Sequence, residues 1–283
     1  MITSTSNPQV KNIIQLNQKG KARKEQGLFV AEGRKMFLEA PAGWIHRVYV
    51  SESFWEGFGT TRAADDLDSA VRQRLRRGVT GDSEMEIVSD QVFEKMSDTK
   101  TPQGVLTVVK TPVYDLKHFC NGVRPLVVIE NLQDPGNVGT ILRTAEGAGA
   151  AGVILAGNCA DILSPKVIRS TMGSIYRMPF LQVPDVVLLL KLLKEHGIRS
   201  YAASLDGKHS YDEESYPGGT AFLIGNEGNG LTPEAQKAAD CLIRIPMEGK
   251  VESLNAAMAA GLLMYEAARQ RRNAGGSGVC ERK

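Results

Sequence analysis

From residue 125 onward the chain repeats one pattern, a short apolar run followed by a segment of helical periodicity. The runs are LVVIE, GVILA, RSYAAS, AFLIG and LIRIP. Short continuous apolar runs alternating with helices are what a mostly parallel sheet covered on both faces requires. That pattern assigns the second part of the chain to the α/β class. The first 110 residues are less regular. Val10, Ile13 and Ile14, with Asn17 a turn further on, mark an N-terminal helix, and a short helix is expected around residues 91–96. GLFVAEG, WIHRVYVS, MEIVS and GVLTVV read as strands. Residues 111–124, TPVYDLKHFCNGVR, carry little periodicity and read as a connection. A length of 283 residues suits two domains, each able to bury a core. The expected division is 1–110, a linker at 111–124, a second domain at 125–272 and a flexible tail at 273–283.

Charge and cysteine usage narrow the class. A net charge of +2 says little about partners, but residues 1–50 hold eight Lys/Arg against three Asp/Glu, centred on KGKARK at 19–24. A second basic run, RQRLRR, occupies 72–77. Such an excess fits a phosphate-rich partner, and equally a solvated helix face. Cys120, Cys159, Cys241 and Cys280 are scattered, without a C-x-x-C pair or a histidine cluster, so no metal site is expected and a reduced, cytoplasmic protein is the simplest account. MITSTSNPQV lacks a signal peptide's apolar segment. VVLLLKLL at 186–193 is too short to span a bilayer, so no membrane association is expected.

The string G-A-G-A-A-G at 147–152 spells a dinucleotide-binding turn, which needs a strand before the glycines and a helix after them. Here the order is reversed. Val138, Ile141, Leu142 and Ala145 recur at helical spacing upstream, and Val153-Ile154-Leu155 reads as a strand downstream. The glycines therefore end a helix rather than open one.

Three other segments carry chemistry. In NLQDPGNVGTILRTAEG a strand feeds a Pro-Gly turn and Asn137 can cap the following helix. Arg143 lies opposite the apolar stripe, with Gly139 and Gly147 four residues to either side, leaving room for a polyanion; the plain alternative is an i+3 pair with Glu146. In FLIGNEGNGL a buried strand is followed by Gly225, Gly228 and Gly230 around the Glu227 carboxylate, then by a helix near Thr232-Pro233. That is the order a ligand loop at the carboxyl end of a parallel strand requires. In RIPMEGKVESLNAAMAAG a strand ends at Ile245-Pro246 and Ser253, Leu254 and Asn255 lead into the final helix. Ser253 can simply cap that helix, or join Asn255 in a polar site. The helix, expected from about 254 to 272, sets Leu254, Met258, Gly261, Leu262 and Tyr265 on one stripe, with alanine at many positions between.

Together and in this order, the three segments resemble the motifs of the SpoU/TrmH family of RNA ribose 2′-O-methyltransferases, within the SPOUT superfamily. Asn137 and Arg143 match the first motif and Gly225-Asn226-Glu227-Gly228 the second. Ile245-Pro246-Met247 with Ser253-Leu254-Asn255 match the third. PKVIRSTMGSIYRMP at 165–179 resembles the family's intervening segment, with Thr171 in place of the expected serine. Residues 1–110 resemble the smaller substrate-binding domain fused ahead of this catalytic domain, an L30e-like α/β fold. The resemblance implies a SPOUT α/β-knot domain, a mostly parallel sheet with a trefoil knot; connection rules count against threading, so the knot rests on the resemblance alone.

It also implies S-adenosylmethionine as methyl donor, S-adenosylhomocysteine as product, no metal, and an obligate homodimer with Arg143 reaching toward a site completed by the other subunit. Cofactor-binding positions are expected at Ser204, Leu205, Gly225, Ile245, Met247 and Leu254. Catalytic positions are expected at Asn137, Arg143, Glu227, Ser253 and Asn255. The implied substrate is structured RNA, with 23S ribosomal RNA first and tRNA as the alternative. A resistance role and a non-catalytic RNA-binding protein of the same fold are the remaining readings.

Overall fold

The computed structural model describes residues 1–57, 66–78, 84–120, 122 and 124–274. Most of the expected tail, with Cys280, lies outside the described residues, as do two positions of the expected connection. Contacts divide the chain into two compact units. One comprises Met1–Val113 with Asp161–Tyr176, the other Tyr114–Ala160 with the chain from Arg177 onward.

The first unit is built on β1 (Leu28–Glu32), β2 (Ile45–Ser51), β3 (Glu84–Val88) and β4 (Val105–Lys110), in the order β1-β4-β2-β3. β4 runs antiparallel to both its neighbours, and β3 runs parallel to β2. Helix Pro8–Gln18 buries Val10, Ile13 and Leu16 against this sheet, so Leu16 completes the face that the sequence suggested would end at Asn17. Asn17 instead donates from its amide to the Met96 carbonyl at 2.8 Å.

The basic run at 19–24 is not all surface. Arg23 is only 5% exposed. Its Nε donates to Asp161 Oδ2 at 2.9 Å, and its Nη1 donates to the carbonyls of Leu16 and Asn17. Lys19, Lys21 and Lys24 stay exposed. The Arg23–Asp161 pair anchors the segment Asp161–Tyr176, whose helix Pro165–Thr171 buries Val167, Ile168 and Thr171 and packs on β1. A stretch that reads in sequence as part of the second domain thus contributes to the core of the first unit.

The second unit holds β5 (Leu126–Glu130), β6 (Gly152–Ala156), β7 (Phe180–Val183), β8 (Arg199–Ala203), β9 (His209–Ser210), β10 (Thr220–Ile224) and β11 (Cys241–Arg244). The order is β7-β6-β5-β10-β8-β11-β9, and every neighbouring pair is parallel. All five residues of β5, β6 and β10 are buried, as strands covered on both faces must be. The two strands without a counterpart in the sequence reading, β7 and β9, are the edges, where one-sided burial or a two-residue length gives no continuous apolar run. The expected connection also carries structure. Helix Leu116–Phe119 drives Phe119 into this unit's core, where a Cβ on Gly152 would come within 2.4 Å of its ring. No helix of the described residues is long and apolar enough to cross a membrane.

The final helix, Ala256–Ala274, begins two residues later than expected and turns the other way. Its buried face is Ala256, Ala257, Ala260, Leu263, Met264, Ala267 and Ala268, packed on helix Pro135–Ala148. The larger stripe is outside: Met258 is 62% exposed and Tyr265 49%. Small residues win the interior because the two helices lie close, with a Cβ on Gly261 reaching Thr144 Cγ2 at 3.5 Å.

The glycine string behaves as its order implies. Helix Pro135–Ala148 stops at Gly149, whose φ of 68° is left-handed, and β6 follows. Gly149 N–H donates to Glu146 O at 3.0 Å and Ala150 N–H to Ala145 O at 2.9 Å, the paired bonds of a Schellman stop. Gly149→Ala is expected to lower unfolding free energy by about 1 kcal/mol, because a Cβ disfavours positive φ. A denaturant titration reads this, and an unchanged midpoint would remove the assignment.

Candidate active site

Because β5, β10, β8 and β11 are parallel neighbours, their carboxyl-terminal loops gather at one end of the sheet. Those after β8, β10 and β11 line a cavity of about 350 Å³. Ser204, Leu205 and Asp206 from the β8 loop line it, together with the whole turn from Gly225 to Gly230 after β10. Ile245, Met247, Glu252, Ser253 and Leu254 after β11 complete the wall. All six expected cofactor positions therefore meet around one cavity. Leu205 is 69% exposed at its rim, an apolar side chain left without a cover by its own chain. Among the described residues the lining includes the carboxylates of Asp206, Glu227 and Glu252 and no lysine or arginine.

The shape of the β10 loop is set by two backbone needs. Gly225 faces the far side of its own turn: a Cβ there would lie 2.1 Å from the Gly230 carbonyl carbon. Its lack of a side chain closes the loop on itself rather than opening space for a ligand. Asn226 and Gly230 exchange backbone bonds of 2.9 Å each way, and Gly230 holds φ 67°. The Asn226 side chain does the rest. Its Oδ1 accepts from the N–H groups of Gly228 and Asn229, and its Nδ2 donates to Asn131 O at 2.9 Å, tying the loop to the end of β5. A second tie runs from Ser204 Oγ to Gln236 Oε1 at 2.9 Å, while Gln236 Nε2 donates to Leu231 O at 3.0 Å. Asn226 and Gln236 are positions the sequence reading passed over; Asn226 lay inside a quoted motif, whereas nothing in the sequence signals Gln236.

Three of the expected catalytic side chains form one relay. Asn255 Oδ1 accepts from Ala257 N–H at 2.9 Å and Met258 N–H at 3.3 Å, so Asn255, not Ser253, caps the final helix. That fixes its Nδ2 as a donor, and it donates to Asn137 Oδ1 at 3.0 Å. Asn137 Nδ2 must then point the other way, and it donates to Glu227 Oε1 at 3.0 Å. The helix cap at Asn137's end is Asp134, whose Oδ1 accepts from Asn137 N–H at 2.8 Å; Asn137 sits within the first turn, free to use its side chain elsewhere. Burial alone would raise the Glu227 carboxyl. Hydrogen bonds from the Asn137 amide and from the N–H groups of Glu227, Asp134 and Gln133 outweigh it and hold the carboxyl below its ordinary range.

Arg143 and Ser253 stand apart from the relay. Ser253 is exposed on the cavity wall without a hydrogen-bond partner among the described residues. Arg143 is exposed, does not line the cavity, and has no partner among the described residues; Glu146 pairs with Arg177 instead. Gly147 beside it is open to solvent, but Gly139 is buried, so only one of the flanking glycines shares its face.

The SpoU rRNA Methylase family matches residues 124–265, and an MRM3-like substrate binding domain matches 7–107. The chain is 30% identical to the 23S rRNA (guanosine(2553)-2′-O)-methyltransferase RlmP of Bacillus subtilis, covering 93% of this chain and 97% of that one. It is 31% identical to a 23S rRNA (uridine(2479)-2′-O)-methyltransferase of Streptomyces viridochromogenes, over 88% and 85% of the two chains. The crystal structure of the SpoU methyltransferase AviRb from Streptomyces viridochromogenes in complex with AdoMet superposes with a TM-score of 0.82 at 27% identity, covering 94% of this chain and 98% of that one. The chain belongs to the SpoU rRNA methylase family.

Two substitutions test the loop. Gly225→Ala is expected to abolish S-adenosylmethionine binding in calorimetry, because backbone atoms cannot yield to the new Cβ. Gly228→Ala, whose Cβ would meet only Asn226 Oδ1 at 3.5 Å, should bind within a few-fold of the parent. Equal affinity in the two variants would show that the loop's closure is immaterial.

The relay has a pH signature. Ionised Glu227 is the form the network holds, so its contribution is complete above the ordinary glutamate value of 4.5 and fades as pH falls through the lowered one. Asn137→Asp removes the donor and sets a second carboxylate against Glu227, and two such groups at hydrogen-bond distance resist joint ionisation. Cofactor affinity of this variant should be weak at neutral pH and recover on mild acidification, opposite in sign to the parent. Parallel pH profiles would sink the relay.

Proposed function

We propose that the chain is an S-adenosylmethionine-dependent methyltransferase of ribose 2′-hydroxyls in structured RNA, with 23S ribosomal RNA as the substrate class, acting as a cytoplasmic homodimer. The observation that carries this reading is the one cavity around which the second and third motif segments and all six expected cofactor positions converge, with the first segment tied to its wall through Asn137 and Glu227. Relatives named for 23S ribosomal RNA that match both units support that substrate over tRNA. The presence of Arg143, Glu227 and Asn255 argues against a non-catalytic form. The knot belongs to the same reading: β10 enters between β5 and β8, and the final helix returns to the helix that follows β5.

The residues present fit the cofactor. Leu205, Ile245, Met247 and Leu254 offer apolar cover for an adenine, with backbone groups of three loops at its edge. S-Adenosylmethionine carries a sulfonium and an ammonium against one carboxylate, and the cavity's acidic, lysine- and arginine-free lining suits a net cation. When bound, it supplies an electrophilic methyl carbon. The protein's part is to present the ribose hydroxyl to it. Arg143 supplies the cation that holds an RNA phosphate and stabilises charge as it develops on the 2′-oxygen. Ser253, exposed and unpaired on the wall, can hydrogen-bond the incoming nucleotide. Asn137, Asn255 and Glu227 keep the three loops in register.

The dimer reading rests on the outward stripe of Met258, Leu262 and Tyr265, which repeats at helical spacing on the final helix. Because Arg143 does not line the cavity of its own chain, the reading assigns it to the cavity of the other subunit. Arg143→Ala should keep cofactor affinity while methyl transfer falls by roughly 10²-fold, the scale of one lost charge-stabilising donor. Co-expressed mixed dimers of an Arg143→Ala subunit and a Gly225→Ala subunit should regain about half the parental rate per dimer, one site being whole. Activity no higher than either parent variant would place Arg143 in its own chain's site.

A further inference from the structure

The glycine string at 147–152 has no part in the cavity, yet its turn adjoins a group of arginines without an assigned role. Arg271 donates from Nη2 to the Ala148 carbonyl at 2.9 Å, at the end of helix Pro135–Ala148, where a cation complements the carbonyl end of the helix. Its Nη1 is enclosed without a hydrogen-bond partner among the described residues. Arg272 follows directly and is exposed. Arg124 is exposed too, one residue before Pro125, whose carbonyl accepts from Ala151 N–H at 2.9 Å and so brings Arg124 to the same corner. Among the described residues none of the three has a carboxylate partner. Burial, and then the charges of Arg124 and Arg272, hold the Arg271 guanidinium below its ordinary value, so the three charges act on one another.

Arg271 is explained by the helix it caps. Arg124 and Arg272 have no hydrogen-bond or ion-pair partner among the described residues, and gathering them beside Arg271 is unfavourable until an anion neutralises them. We propose that Arg124, Arg271 and Arg272 form a second RNA contact, a binding site for backbone phosphates remote from the reacting nucleotide. The corner is open rather than enclosing. The N–H groups of Gly149 and Ala150, which could have wrapped a small free anion, are spent on the helix carbonyls. Spread guanidiniums on an open surface match successive phosphodiesters instead. The corner lies at the amino ends of the strands, one sheet length from the cavity at their carboxyl ends. A five-residue strand spans about 17 Å, so the contact is beyond the target nucleotide but within reach of a folded RNA.

This inference rests on the RNA reading above, and the test separates the two. The full chain would be titrated with deproteinised bacterial 23S ribosomal RNA across a range of salt concentrations. Arg124→Ala/Arg272→Ala should weaken binding about tenfold and flatten the log K against log [salt] slope by about 1.5, the effect of two lost phosphate contacts. Arg124→Lys/Arg272→Lys should keep the parental slope, since charge is retained. S-Adenosylmethionine affinity should be unchanged in both variants and the thermal midpoint no lower than the parent's, because neither side chain has a partner among the described residues. A parent that binds with a steep slope and an alanine variant that matches it would overturn the site alone. A parent without salt-dependent binding would overturn the RNA reading itself. If inorganic phosphate at millimolar concentration raised the parent's thermal midpoint but RNA slopes were equal, the site would be one for free anions and the proposal would be wrong.

Discussion

One side-chain amide, that of Asn137, carries the arrangement at the carboxyl end of the parallel sheet. It receives a hydrogen bond from Asn255 and gives one to Glu227, joining loops that follow β5, β10 and β11. Its orientation is not free. The helix that starts at Ala256 fixes Asn255 through its exposed N–H groups, Asn255 fixes Asn137, and Asn137 fixes the carboxylate. A polar chain of this kind is stable because each donor meets one acceptor, and for the same reason it tolerates little change at any member. Asn137 and Asn255 do not line the cavity, so its wall at Glu227 is positioned from outside it.

The same economy appears in the first unit. Arg23, set in a run of lysines, is the cation that is turned inward, and its pairing with Asp161 anchors sixteen residues drawn from far along the chain. Val167, Ile168, Ile175 and Tyr176 are buried in that unit. Cutting the chain after residue 110 would leave those apolar side chains without the sheet that covers them, so the two compact units are not two independent lengths of sequence.

The final helix shows how packing distance overrides residue size. Leu254, Met258, Leu262 and Tyr265 form the more hydrophobic stripe, and a rule based on periodicity alone would place it inside. Five alanines share the interior with Leu263 and Met264, because helix Pro135–Ala148 lies close against that face. The apolar stripe left facing outward is the observation on which the proposed dimer rests.

Much of this was legible in the residues. Five apolar runs became five parallel strands, the reversed order around Gly149 marked a helix stop, and two of the three short motifs named residues that line one cavity. These are local properties, set by side-chain periodicity and by the conformations glycine permits. What the sequence could not reveal depends on pairs far apart in it. Asn255 meets Asn137 across 118 positions, and Arg23 meets Asp161 across 138. Gly225, which lines the cavity, is also required by the close backbone of Gly230, and Asn255 rather than Ser253 caps the last helix. Edge strands β7 and β9 escaped because half-buried or two-residue strands carry no periodic signal. Hydrophobic pattern fixes which segments are buried, but only the closed sheet decides which polar atoms come within 3 Å of one another, and those contacts shape the site.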